Sequence, residues 1–185
     1  MKSLTRGLLT YAPIIVVGAV IQALLIFGDP VPTTSWWFSV RVLASALVLI
    51  LALWLTMGFA AHTDGRSSPR LLLAVTVAVL CGIVAGILNP ILPLLVALIS
   101  LPVLSAVAAG PLRAVTRTIT FAPIRTFLGL AGATVLIIVN VVAGLVLGFF
   151  VTGVVAAGIT WLVFGTSAAI LATYWASLHR RAHPS

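Results

Sequence analysis

Residues 127–178 contain no Asp, Glu, Lys or Arg, and nearly all of them are apolar. A helix crossing a bilayer takes about 20 residues, so this run cannot be one crossing and must turn back on itself. The turn belongs at residues 149–153, where Phe149 and Phe150 meet Thr152 and Gly153, leaving spans at 127–150 and 154–177. A soluble fold offers no alternative. The chain is 62% hydrophobic and 6% charged, a balance that a domain of 185 residues cannot hide from water.

Four further apolar runs precede this one, at 8–27, 38–61, 71–88 and 91–109. Lys2 and Arg6 ahead of the first resemble a signal peptide, but the run is long for that and no Ala-x-Ala site precedes Asp29. It reads as a retained span entered through Tyr11 and Pro13, with the proline in a first helical turn where its missing N–H costs nothing. Pro30, Pro32 and Asp29 make the next loop, and Trp36-Trp37 reads as an interfacial belt. Asp64-Gly65 with Ser67, Ser68 and Pro69 marks a turn, and Asn89-Pro90 breaks the third span from the fourth. Those two spans reach about 27 Å each, so they cross a core of about 30 Å with little tilt. Pro102 is expected to kink the fourth.

The ten Lys and Arg test this count, because cytoplasmic loops carry the excess of cations. With six spans, Lys2, Arg6, Arg66, Arg70, Arg113, Arg117, Arg125, Arg180 and Arg181 share one side, and Arg41 is alone on the other. A five-span arrangement puts the last two on the wrong side. The expected fold is therefore all-α, a single-domain polytopic membrane helix bundle over residues 1–185, with six transmembrane helices and both termini cytoplasmic. Arginine outnumbers lysine nine to one amid abundant Ala, Val and Gly, a bias typical of GC-rich bacterial genomes, which points to a bacterial plasma membrane. The net charge of +8 serves orientation; with no interleaved basic and aromatic surface, no nucleic-acid partner is expected.

In residues 111–122, Arg113 and Arg117 fall on one helical face and Leu112, Val115 and Ile119 on another. Two readings fit: a short helix lying among lipid headgroups, with Arg113 and Arg117 on the phosphates, or an ordinary basic loop. The segment Thr10-Tyr11-Ala12-Pro13-Ile14 resembles Thr120-Phe121-Ala122-Pro123-Ile124, which is either an internal repeat or a consequence of biased composition.

In 127–150, Gly129, Ala133, Asn140, Gly144 and Gly148 recur at helical spacing, and Gly144 and Gly148 form a GxxxG pair. This stripe predicts the side other helices approach, with Asn140 turned into the bundle and the rest of the chain arranged around it. Gly82 and Gly86 form a second such pair.

Catalytic and cofactor chemistry find little here. The only carboxylates, Asp29 and Asp64, lie in loops, so proton relays and Mg²⁺ sites inside the membrane are not expected. His62, His179 and His183 sit at span ends, which leaves no paired histidines for haem. His179 and His183 have metal-ligand spacing but no third ligand, and Cys81 is the single cysteine, so no metal or other cofactor and no disulfide within the chain are expected. No Ser is placed with a His at membrane depth, so no enzyme is expected.

The remaining polar residues are Gln22, Arg41, Asn89, Asn140, Thr160 and Ser167. Thr160 and Ser167 share a face that could meet Asn140 across the last hairpin. Interhelical hydrogen bonding explains such an inventory; so does a site in the outer half built from Gln22, Arg41 and Asn140. Two functions follow. One is a non-catalytic subunit that packs, beyond its contact with the lipid bilayer, against other membrane subunits or a second copy of itself. The other is a small transporter component, a permease or substrate-binding membrane subunit, supported by the interrupted pair of short spans.

Overall fold

The computed structural model describes residues 2–27, 35–61, 68–89, 91–109, 119–151 and 153–182, with backbone alone for residues 2–10, 109, 148 and 149. Of the described residues 94% are helical and none is in a strand, which makes the fold all-α. The helices are α1 (Lys2–Leu25), α2 (Trp36–Ala61), α3 (Pro69–Leu88), α4 (Leu92–Ala109), α5 (Pro123–Phe150) and α6 (Gly153–Ala182). Among the described residues four helical segments are long and apolar enough to cross a membrane: Trp36–Ala61, Pro69–Leu88, Pro123–Leu147 and Gly153–Ala182. The apolar stretches Tyr11–Leu25 and Leu92–Ala108 are shorter.

Local chemistry explains where these helices start and stop. Ser35 accepts from the Phe38 amide at 3.2 Å, which satisfies one of the unpaired donors at the start of α2. Ser68 caps α3 in the same way, accepting from the Leu71 amide at 3.2 Å, and Pro69 occupies the first position, where no N–H is needed. Asn89 closes α3; its backbone N–H reaches Ala85 and its side-chain oxygen accepts from the Ile91 amide at 2.8 Å, turning the chain into α4. Between α5 and α6 the turn passes through Gly153 at φ 76°, a left-handed conformation that glycine adopts without strain.

Three boundaries differ from expectation. Helix α1 begins at Lys2, so Pro13 lies in its interior and removes an intrahelical hydrogen bond there. Helix α5 starts at Pro123 and α6 runs on to Ala182, carrying His179, Arg180 and Arg181 on its last turn. The suspected repeat does not share backbone structure: Pro13 is mid-helix, whereas Pro123 follows the non-helical Ala122 and opens α5. Pro102 lies inside α4 as expected.

Successive helices run antiparallel. Gln22 of α1 meets Ser45 of α2, Gly86 of α3 meets Pro93 of α4, and Gly129 of α5 meets Tyr174 of α6. Parallel pairs α2 and α6 are tied at one end, where the Arg180 guanidinium donates to the Ala60 carbonyl at 2.7 Å. At that end the Tyr174 hydroxyl also donates to the Arg125 carbonyl at 2.6 Å, and the Trp54 indole donates to the Ser68 carbonyl at 3.3 Å. Arg70, Arg125, Arg180 and Arg181 thus gather at one end of the bundle, and Arg41, in the second turn of α2, lies toward the other.

The centre of the bundle is α6. It packs against α1, α2, α4 and α5, and its contact with α1 is the most extensive in the fold. Small residues make this possible: Ala169 and Ala172 are fully buried, Ala176 nearly so, and Gly165 lies so close to α1 that an added Cβ would stand 2.9 Å from Ile15 Cγ2. Helix α5, expected to be the organising element, is instead peripheral. It packs on α6 along one edge and touches α4 only slightly. Phe127, Leu128, Val135, Ile138, Val142 and Leu145 are exposed, an apolar surface that suits lipid and could not face water.

Candidate functional site: a groove between α4 and α5

Because α5 meets α6 closely and α4 hardly at all, a cleft remains between α4 and α5, floored by α2 and α6. Its volume is about 360 Å³. The lining is almost wholly apolar, with Met57, Leu104, Ile137 and Leu171 typical of it, and no charged side chain takes part. The polar exceptions are Ser100, Asn140, Thr160 and Ser167.

Asn140 and Ser167 form the interhelical contact that their spacing suggested. Asn140 Nδ2 donates to Ser167 Oγ at 2.9 Å and to the Leu136 carbonyl, one turn back on its own helix, at 2.7 Å. The Leu136 carbonyl can only accept, so it fixes which end of the amide is the nitrogen. The amide oxygen makes no described hydrogen bond. Ser167 spends an acceptor site on Asn140, and its proton has no described acceptor. Thr160 and Ser100 differ, donating to the Ala156 carbonyl at 2.8 Å and the Ala97 carbonyl at 3.2 Å within their own helices. Trp161 and Phe164 meet edge to face at 5.6 Å and separate the groove from a smaller cavity, about 40 Å³, between α1, α2 and α6.

Gln22 lines that smaller cavity and is 3% exposed. Its amide is answered by one residue of α2: Nε2 donates to the Ser45 carbonyl at 2.9 Å, and the Ser45 hydroxyl donates to Oε1 at 2.7 Å. Gln22 and Asn140 therefore line different cavities on different helix pairs, and Arg41 lines neither of them. The three do not assemble into one site.

The small-residue positions divide as well. Gly129 is the closest approach, since an added Cβ would stand 2.5 Å from Tyr174 Cε1 and 3.2 Å from Trp175 Cζ2, and Ala133 one turn on is fully buried. At Gly144 the nearest atom is Thr160 Cγ2 at 3.9 Å, an ordinary contact, and at Gly86 it is Pro93 Cγ at 3.3 Å. Gly82 meets nothing within 4 Å. Gly148 is helical, with its contacts outside the described residues, where Arg113 and Arg117 also lie.

Among the described residues no group of His, Cys, Asp or Glu is placed to hold a metal ion. Cys81 is exposed on α3. Sequence reasoning singled out neither Ser45 nor Trp161, and took up Ser100 only as a serine without a histidine partner. Ser45 could have been found as a hydroxyl in span two at the depth of Gln22; Trp161, inside a long apolar run, carried no such signal. Comparison with family models, curated proteins and solved structures finds no match to this chain.

Proposed function

We propose that this chain is a six-span membrane protein with both termini cytoplasmic, and that it binds without catalysing: a small transporter or ligand-holding membrane component that receives an apolar molecule sideways from the bilayer. The α4–α5 groove carries this reading, because it opens between two helices whose outer faces expose apolar side chains such as Leu95, Ile99, Ile138 and Val142, and its apolar lining is interrupted near mid-helix by the Asn140–Ser167 pair. The six-span topology is supported by helix lengths. Helix α1 has 24 residues and α4 has 18, or about 36 and 27 Å at 1.5 Å per residue, against a hydrocarbon core of about 30 Å. The gathering of Arg70, Arg125, Arg180 and Arg181 supports a cytoplasmic end, and the excess of arginine over lysine supports a bacterial plasma membrane.

A second reading, a subunit in a larger membrane assembly, draws support from Gly82 and Gly132, where an added Cβ would meet nothing within 4 Å. Such bare backbone lets a partner helix approach closely. Purification in mild detergent followed by native mass spectrometry separates the two. A small co-purifying mass, lost when Ala97→Phe fills the groove from α4, is expected. A stoichiometric protein partner with no small mass would favour the subunit reading.

A further inference from the structure

The size and chemistry of the groove narrow what can occupy it. At about 360 Å³ the groove stands near the small end of ligand pockets, which span about 300–1,000 Å³. It suits a single apolar chain better than a protein segment or a two-chain phospholipid. A plain hydrocarbon chain, however, would leave two polar atoms unanswered in an apolar cleft: the Asn140 amide oxygen, held as an acceptor by the Leu136 carbonyl behind it, and the Ser167 proton. With no charged residue in the lining, an ionised group would enter without a counterion.

We infer that the groove holds a neutral, single-chain lipidic molecule whose hydroxyl or amide donates to Asn140 Oδ1 and accepts from the Ser167 hydroxyl, with its chain along Leu104, Ile137 and Leu171. This rests on the proposed role of the groove as a binding site and adds the chemical class of its ligand. Hydroxyl and amide groups both carry a donor and an acceptor, whereas a ketone or an ester carries acceptors alone. Trp161, half-buried in the lining, is a built-in reporter of occupancy.

The test uses the full chain in phosphatidylcholine nanodiscs, with ω-bromoundecanol and bromoundecane as quenchers. The Trp161 signal is taken as the difference between wild type and Trp161→Phe. Saturable quenching by the alcohol is expected at a mole fraction at least about tenfold below that needed for the alkane, as two hydrogen bonds in an apolar cleft imply. Ser167→Ala should reduce this preference several-fold, while Thr166→Ala, on an exposed neighbour, keeps it. Because Ser167→Ala also loosens Asn140, Ala97→Phe provides a second variant, expected to abolish saturable quenching without touching the polar pair. Equal saturable quenching by both probes would overturn the hydroxyl recognition and leave the groove as a binding site. No saturable quenching by either would overturn both.

Discussion

Replacing Gly129 by alanine adds one methyl group at the tightest point between α5 and α6. The new Cβ would stand 2.5 Å from Tyr174 Cε1, so the ring must withdraw by about 1 Å to restore a normal contact. Tyr174 is poorly placed to withdraw. Its hydroxyl donates to the Arg125 carbonyl at 2.6 Å, and its ring stands edge to face with Trp175 at 5.9 Å. Overpacking of this kind costs about 1–3 kcal/mol, and the strained or lost hydrogen bond adds about 1. Alanine returns about 1 kcal/mol through its better helix propensity, for a net loss of about 2 kcal/mol. Gly132→Ala is the matched control, since its Cβ meets nothing within 4 Å and only the propensity gain applies. Unfolding in mild detergent titrated with dodecyl sulfate should show Gly129→Ala with a clearly lower midpoint than wild type, and Gly132→Ala at or slightly above it. Equal midpoints for the two variants would refute the close packing of α5 on Tyr174.

Gln22→Leu removes both hydrogen bonds to Ser45 and should lower the unfolding free energy in the same titration by about 1 kcal/mol, whereas loss of a ligand site alone would leave it unchanged. Gly144→Leu should destabilise more than Val142→Leu, because Gly144 faces Thr160 and Val142 is exposed. Arg41→Gln should leave groove binding by ω-bromoundecanol intact, since Arg41 does not line the groove, and a lost Trp161 response would return it to the site.

Much of the fold was legible because its signals are local. Asn89-Pro90, Ser68-Pro69 and the Phe149–Gly153 region each stop or start a helix through one or two residues, and the structure breaks within a few residues of each. The Asn140–Ser167 contact was legible for a related reason: an amide and a hydroxyl on adjacent antiparallel helices have few other partners in hydrocarbon. The hub was not legible. Small residues recur on α5 and α6 alike, but Ala169, Ala172 and Ala176 are buried and Gly165 lies against Ile15 of α1, while Gly132 on α5 meets nothing within 4 Å. Periodicity marks a face that can be approached closely; which helix approaches depends on the other five. The same limit separated Gln22 from Asn140, since similar depth along two helices says nothing about azimuth around them.

The groove faces bilayer only if all six helices cross, so topology is the most direct test of the whole proposal. Single cysteines placed at Ser68, before α3, and at Thr33, between α1 and α2, in a Cys81→Ala background can be labelled with a membrane-impermeant maleimide in intact cells and in inverted vesicles. Six crossings with cytoplasmic termini predict that the Thr33 position labels only from outside and the Ser68 position only from inside. Labelling of both positions from the same side would contradict it.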